Sequence, residues 1–166
     1  ADHFTSRRKL SRLIRVILLG GSATAALGLA LYFIPSDLAE RALNALHIVN
    51  YPTGSVLRYI EDNPANPLRA IGTSVDPNAF GGLLAIVGAL AAPQLATTRP
   101  VFGRQWVAWV IFGLIAATIV LTFSRTAIAA LLTAMLFVIG LRHRTLIWLL
   151  ALAVVLIMFL PIANEY

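Results

Sequence analysis

An arginine precedes a helix start at the point where a polar segment gives way to a long apolar run. Asp76 followed by Pro77 is typical of a helix N-terminus, because Asp caps free backbone N–H groups and Pro at the first helical position loses no hydrogen bond. Gly72, just upstream, allows a tight turn before the helix begins. The positive end of the helix dipole then lies near the guanidinium of Arg69, a combination that favours an anion such as phosphate.

A second arginine, Arg125, follows Ser124 in the tight connection between two later apolar runs, and Ser124 is a good helix N-cap. Two helix starts and two guanidiniums at one aqueous boundary would suit a diphosphate, because arginine pairs with phosphate oxygens in a bidentate manner. In the alternative, Arg125 reaches the lipid headgroups and Arg69 pairs with Asp76 or Glu61. The sequence leaves both open, because nothing in it makes the two helix starts neighbours.

The composition indicates a polytopic, all-α membrane protein. The chain is 59% hydrophobic and only 12% charged, whereas soluble domains carry about 25% charged residues. Apolar stretches long enough to cross a bilayer recur along it. The net charge of +6 comes from arginines in short segments between these stretches, so it carries topology information and predicts no nucleic-acid partner. Cysteine is absent, which excludes thiol chemistry.

The elements that must position the arginines form one transmembrane domain over residues 1–166. Hydropathy predicts five spans, at about 13–34, 77–96, 105–123, 126–141 and 145–160. The segment 35–76 is predicted to be extracytoplasmic. It begins with an amphipathic helix at 36–49, lying on the membrane surface or against the spans, with one apolar face made by Leu38, Ala42, Leu46 and Val49. A Pro- and Gly-rich loop follows at 50–68, with one short helix around 55–60.

Small residues predict close helix contacts on two of these spans. One face of the first span carries Gly20, Thr24 and Gly28, and one face of the second carries Gly81, Ala85, Gly88 and Ala92. With the N-terminus in the cytoplasm, most basic residues fall on the cytoplasmic side and most acids on the other, as the positive-inside rule requires. The second and fourth spans then both begin on the outer face.

Other chemistries find little support in the residues. The three histidines, His3, His47 and His143, lie in separate segments without the spacing of a metal site. Ser124 has no histidine nearby in the sequence for triad chemistry. The chain contains neither a phosphate-binding Gly-Lys-Ser/Thr loop nor a dinucleotide fingerprint. We therefore predict no metal and no cofactor.

Two motifs contain the residues discussed above. The first is Arg69-x-x-Gly72-Thr73-x-x-x-Pro77-Asn78-x-x-Gly81, and the second, two spans later, is Thr122-x-Ser124-Arg125-Thr126. At this spacing the pair resembles the O-antigen ligase and polymerase family of bacterial inner-membrane proteins, over roughly residues 65–145. Members transfer glycans from undecaprenyl-diphosphate carriers to an acceptor on the periplasmic side, without a nucleotide-sugar donor or an obligatory metal.

The resemblance implies roles for individual residues. Arg69 and Arg125 would be the catalytic pair, which holds the diphosphate and stabilises the leaving group as charge develops on it. The substrate-binding residues would be Gly72, Thr73, Asp76, Pro77, Asn78 and Ser124. The implied partners are an undecaprenyl-diphosphate-linked glycan and the membrane lipids, in a multi-pass protein of the bacterial inner membrane.

Members of that family have more spans and a large periplasmic loop that carries a proposed catalytic histidine. This chain is therefore expected to be a central fragment that is incomplete for catalysis. Two further interpretations stay open at this point: a non-catalytic subunit packed among others in a larger membrane complex, and a transporter of a small anion such as bicarbonate. Neither the sugar nor the acceptor is encoded in these motifs.

Overall fold

A computed structural model describes residues 7–140 of the 166-residue chain. This part of the chain contains five α-helices: α1 Arg7–Phe33, α2 Ser36–Asn44, α3 Pro77–Ala96, α4 Gln105–Leu121 and α5 Arg125–Gly140. Short 3₁₀ helices occupy Ala45–Val49 and Ile60–Asp62, and an isolated antiparallel bridge joins Tyr59 to Leu68. The predicted all-α class is confirmed for these residues. The span predicted at 145–160 lies outside the described residues.

The helix bounds follow local signals in the sequence. α3 has the predicted bounds, because the Asp76 carboxylate accepts the backbone N–H of Asn78 at 2.6 Å and Pro77 occupies the first turn. Pro93 lies inside this helix without ending it. α1 begins earlier than the predicted span, because the basic segment continues the same helix to Arg7.

The three other long helices, α1, α4 and α5, pack around α3. The core between them contains side chains with almost no exposed surface, namely Phe80, Leu84, Ile115 and Ile119. The four small residues predicted to form a face of α3 are all buried. The predicted face of α1 is correct at Gly28, which is buried against Phe80, but wrong at Gly20, which is exposed; Gly21 and Ala25 are the other buried small residues. Val87 and Phe80 of α3, which pack against Gly21 and Gly28, decide which face of α1 is buried.

The long helices alternate in direction, so the start of α1 and the α3–α4 loop lie at one end of the bundle, and the end of α1 and the starts of α3 and α5 lie at the other. At one end, Arg15 of α1 donates through Nη2 to the carbonyl of Val101 at 2.7 Å, and the Gln105 amide donates to the carbonyl of Leu95 at 2.6 Å. The opposite end carries the end of α1, the segment 34–76 and the starts of α3 and α5. Every carboxylate of the described residues lies within 37–76.

The segment 34–76 packs over that second end through an apolar cluster that it shares with Leu31 of α1. Its buried members are Leu31, Ala39, Leu43, Val56, Leu57 and Ile71. The predicted apolar face of the amphipathic helix is therefore wrong: Ala39 and Leu43 face inward, whereas Leu38 is 52% exposed and Val49 72% exposed. The helix also changes to 3₁₀ geometry after Asn44, which shifts the later side chains away from the expected face.

The short helix predicted around 55–60 is also wrong. The chain there is extended and pairs with the strand-like segment after the turn, through the bridge between Tyr59 and Leu68. Pro64 and Pro67 favour this arrangement, because proline disfavours helical backbone in the residue before it.

Within residues 7–140, two helices are long and apolar enough to cross a membrane by length and composition. They are Arg8–Phe33, with a mean hydropathy of 1.9, and Pro77–Ala96, with a mean hydropathy of 1.7. α4 and the first part of α5 are apolar but shorter.

A hydroxyl buried between α4 and α1 provides a test of this packing. Thr118 has no exposed surface, and its Oγ1 donates to the carbonyl of Leu114 at 2.8 Å and approaches that of Ala25 at 3.3 Å. We expect Thr118→Val to lower the free energy of unfolding by about 1 kcal/mol. Thr133→Val is the matched control, because exposed Thr133 bonds only the carbonyl of Ala129 in its own helix. Equal losses in denaturant titrations of the two variants would contradict the contact with α1.

Candidate functional site

A hairpin-like turn brings Arg58 and Arg69 together. The backbone N–H of Arg69 donates to the carbonyl of Arg58 at 2.8 Å, and that of Ile60 donates to the carbonyl of Pro67 at 3.1 Å. The turn itself is closed by Asn66, whose backbone N–H donates to the carbonyl of Asn63 at 2.9 Å. Asn and Pro are the residues that such a turn favours.

The side chain of Arg69 bridges two helix ends. Its Nε donates to the carbonyl of Thr122 at 2.8 Å, just after α4, and its Nη2 donates to Oδ1 of Asn78 in the first turn of α3 at 3.0 Å. The next residue strengthens the attachment, since the Ala70 N–H donates to the carbonyl of Leu121 at 2.8 Å. A guanidinium has five N–H donors, so three remain for another partner. Arg69 is thus held at a defined position with hydrogen-bond donors that are not yet used.

The starts of α3 and α5 are neighbours. A β-carbon at Gly81 would lie 2.8 Å from the β-carbon of Ala127 and 3.4 Å from that of Ser124, so the two helices touch in their first turns. Ser124 is 1% exposed, and its Oγ accepts the backbone N–H of Ala127 at 3.4 Å, as expected of an N-cap. The positive dipole ends of both helices therefore point toward the same end of the bundle.

Gly72 shapes the turn that leads into α3. Its φ is +54°, in the left-handed region, and a β-carbon there would lie 2.7 Å from the ring of Phe80. Both features require glycine at this buried position. The following residue, Thr73, is exposed.

An open cleft of about 350 Å³ lies in front of the α3 start. Its walls combine two arginines, two carboxylates and the first turn of the helix, and they are made by Arg58, Asp62, Arg69, Val75, Asp76, Pro77 and Asn78. Four of these are residues singled out from the sequence. Arg58 and Asp62 were missed, although the repeated Leu-Arg pairs at 57–58 and 68–69, on either side of a Pro- and Asn-rich turn, were a usable signal.

The charges in the cleft are partly paired. Arg58 Nη1 lies 3.9 Å from Oδ1 of Asp62, whose side chain is 82% exposed, and its Nε donates to the carbonyl of Val75 at 3.4 Å. Behind Arg58, burial raises the pKa of Tyr51, and the arginine charge lowers it by a smaller amount. Tyr51 is therefore neutral at physiological pH. The cleft thus offers donors from Arg69 and from a half-paired Arg58, beside a helix N-terminus whose N–H groups at Asn78 and Phe80 already bond to Asp76.

Arg125 stands apart from this cleft. It is exposed, and within residues 7–140 its guanidinium makes neither a hydrogen bond nor an ion pair. It follows Thr122 by three positions, so its backbone lies within about 11 Å of the carbonyl that Arg69 binds. Arg69 does not pair with Asp76 or Glu61, the alternative that the sequence left open; among the described residues its side chain contacts Asn78 and the Thr122 carbonyl.

Within residues 7–140, no three side chains of His, Asp or Glu cluster in a way that holds a metal ion. Comparisons with protein-family models, with curated proteins and with solved structures found no match to this chain.

Proposed function

We propose that this chain is part of a multi-span protein of the bacterial inner membrane that transfers a glycan from an undecaprenyl-diphosphate carrier to an acceptor on the periplasmic side. In this proposal α1, α3, α4 and α5 cross the membrane. Large apolar side chains on their outer faces support it, since Val16, Leu19, Ile86, Val110 and Phe137 are each more than half exposed.

The proposed orientation has the N-terminus in the cytoplasm. The end that holds the α1 start and the α3–α4 loop carries Arg8, Lys9, Arg12, Arg15, Arg99 and Arg104, with no carboxylate among the described residues. The other end holds all the described carboxylates. This asymmetry follows the positive-inside rule, and it assigns the cleft at Arg69 to the periplasmic boundary.

One observation carries the assignment of function: Arg69 is fixed between the end of α4 and the start of α3 with three N–H donors left over. A diphosphate in the cleft would receive these donors, and the positive end of the α3 dipole would favour its charge. When the acceptor attacks the anomeric carbon, the bond from that carbon to the diphosphate oxygen breaks and negative charge grows on the leaving diphosphate. Fixed donors stabilise that charge, which lowers the barrier. Arg125, exposed beside the same end, would meet the phosphate farther from the sugar.

Binding selectivity tests the site directly. We expect the complete gene product, purified in detergent, to bind undecaprenyl diphosphate about tenfold more tightly than undecaprenyl monophosphate, because the second phosphate adds charge-assisted hydrogen bonds. Isothermal titration with the two lipids measures the ratio. Equal affinities would contradict a site built for a diphosphate.

Removing the carboxylate of Asp62 is expected to increase the affinity for the diphosphate rather than reduce it. Asp62→Asn is expected to tighten binding of the diphosphate by about threefold, since it releases Arg58 from an exposed ion pair. Glu61→Gln is the matched control, because this neighbouring acid does not line the cleft. Weaker binding in Asp62→Asn, or the same gain in both variants, would argue that Arg58 does not face the ligand.

A further inference from the structure

A second cleft lies at the opposite end of the bundle. It has a volume of about 310 Å³, and it is lined by Arg8, Ser11, Arg12 and Arg15. The three arginines are spaced by four and three residues, so they share one face of α1. Three like charges on one face repel each other, and an anion between them would remove that repulsion.

The arrangement is held by the loop between α3 and α4. Arg15 donates to the carbonyl of Val101 at 2.7 Å, and its guanidinium carbon lies 5.9 Å from the centroid of the Phe102 ring. Arg15 is thus fixed, although its side chain stays exposed like those of Arg8 and Arg12. Every described carboxylate belongs to residues 37–76, at the other end, so none of them competes for these guanidiniums.

The next turn of α1 on the same side exposes apolar side chains. Val16, four residues after Arg12, is 67% exposed, and Leu19, four residues after Arg15, is 52% exposed. A free inorganic anion would use the arginines and leave these side chains in water. A phospholipid would use both, with its phosphate on the guanidiniums and its acyl chains along Val16 and Leu19.

From this combination we propose that the cleft binds the headgroup phosphate of an anionic phospholipid in the cytoplasmic leaflet. The proposal relies on the membrane orientation given above but on none of the residues of the periplasmic cleft. It assigns the basic end of α1 a specific lipid site rather than a diffuse surface charge. Arginine suits this role because its planar fork pairs with two phosphate oxygens at once.

Native mass spectrometry of the complete protein in a non-ionic detergent, titrated with phosphatidylglycerol or with phosphatidylcholine of the same acyl chains, tests the site. We expect tighter binding of phosphatidylglycerol. The double variant Arg8→Gln/Arg12→Gln should weaken it about 25-fold, at about a factor of five for each arginine. Undecaprenyl diphosphate binding, measured on the same sample, should not change, so failure here is distinguishable from failure of the periplasmic site.

The control is the double variant Arg99→Gln/Arg104→Gln, which removes the same charge from the same end without touching the cleft. Its phosphatidylglycerol affinity should fall by less than about threefold, because these arginines attract the lipid only through a long-range field that salt screens. Equal losses in the two double variants, or equal affinities for the two lipids, would overturn the proposal. Displacement of the lipid by millimolar inorganic phosphate would also overturn it, because the site would then hold a free anion.

Discussion

Replacing Arg69 by alanine is expected to slow glycan transfer from a lipid-diphosphate donor by about 100- to 1,000-fold, the loss typical of removing one fixed donor from a developing negative charge. The bridge from Arg69 to Asn78 and to the Thr122 carbonyl holds the guanidinium beside the cleft. Arg69→Lys keeps the charge but loses the fork, so it cannot span both partners. We expect an intermediate rate for lysine, about tenfold below the unmodified protein.

The measurement is transfer by the complete gene product, followed with a fluorescent lipid-linked donor in detergent. Arg41→Ala is the matched control, because this exposed arginine lies at the same end of the bundle and outside the cleft, and its rate should not change. Unchanged transfer in Arg69→Ala would remove the basis of the proposed function. Arg125→Ala tests the second arginine in the same assay, and full activity would exclude it from the site.

The same variants separate the rival functions. A small-anion transporter would lose uptake of bicarbonate in Arg69→Ala and would show no glycan phenotype. A purely structural role of Arg69 would lower the free energy of unfolding without changing the preference for diphosphate over monophosphate among the molecules that remain folded. Measuring stability and lipid selectivity on one preparation therefore tells these outcomes apart.

The largest expected effect on stability comes from Gly72→Ala, at about 3 kcal/mol. Left-handed backbone costs an alanine about 1 kcal/mol or more, and the clash with the Phe80 ring adds about 2 kcal/mol of overpacking. The ring has little room to move, because Phe80 is 1% exposed and also packs against Gly28. Because this turn leads into the α3 start, the variant should also weaken diphosphate binding.

Gly103→Ala separates the two contributions. Gly103 has a φ of +73°, but a β-carbon added there would meet no atom within 4 Å, so the substitution carries only the backbone cost, about 1 kcal/mol. Denaturant titration in detergent micelles, followed by circular dichroism, measures both variants. Equal losses would mean that the Phe80 ring yields to the added methyl group and that Gly72 serves the turn alone.

Local patterns were sufficient for most of the helices. The bounds of α3 follow from Asp76 and Pro77 and from the length of the apolar run, all of which act within a few residues. The apolar face predicted for α2 was wrong, because Ala39 and Leu43 are buried whereas Leu38 and Val49 are exposed. The pattern of one helix does not show which of its apolar residues the rest of the chain will cover. Burial there depends on Leu57 and Ile71, which come from other parts of the segment.

The sequence by itself determined that this chain is helical and apolar, with capped helix starts at Asp76 and Ser124 and basic residues grouped between the apolar runs. Only the tertiary structure decided that the two starts touch, that Arg69 reaches the carbonyl of Thr122, and that Arg58 rather than Arg125 shares its cleft. The physical reason is range. Capping and hydropathy act over a few neighbouring residues, whereas the contact between Arg69 and Thr122 joins positions 53 residues apart and exists only after the helices have packed.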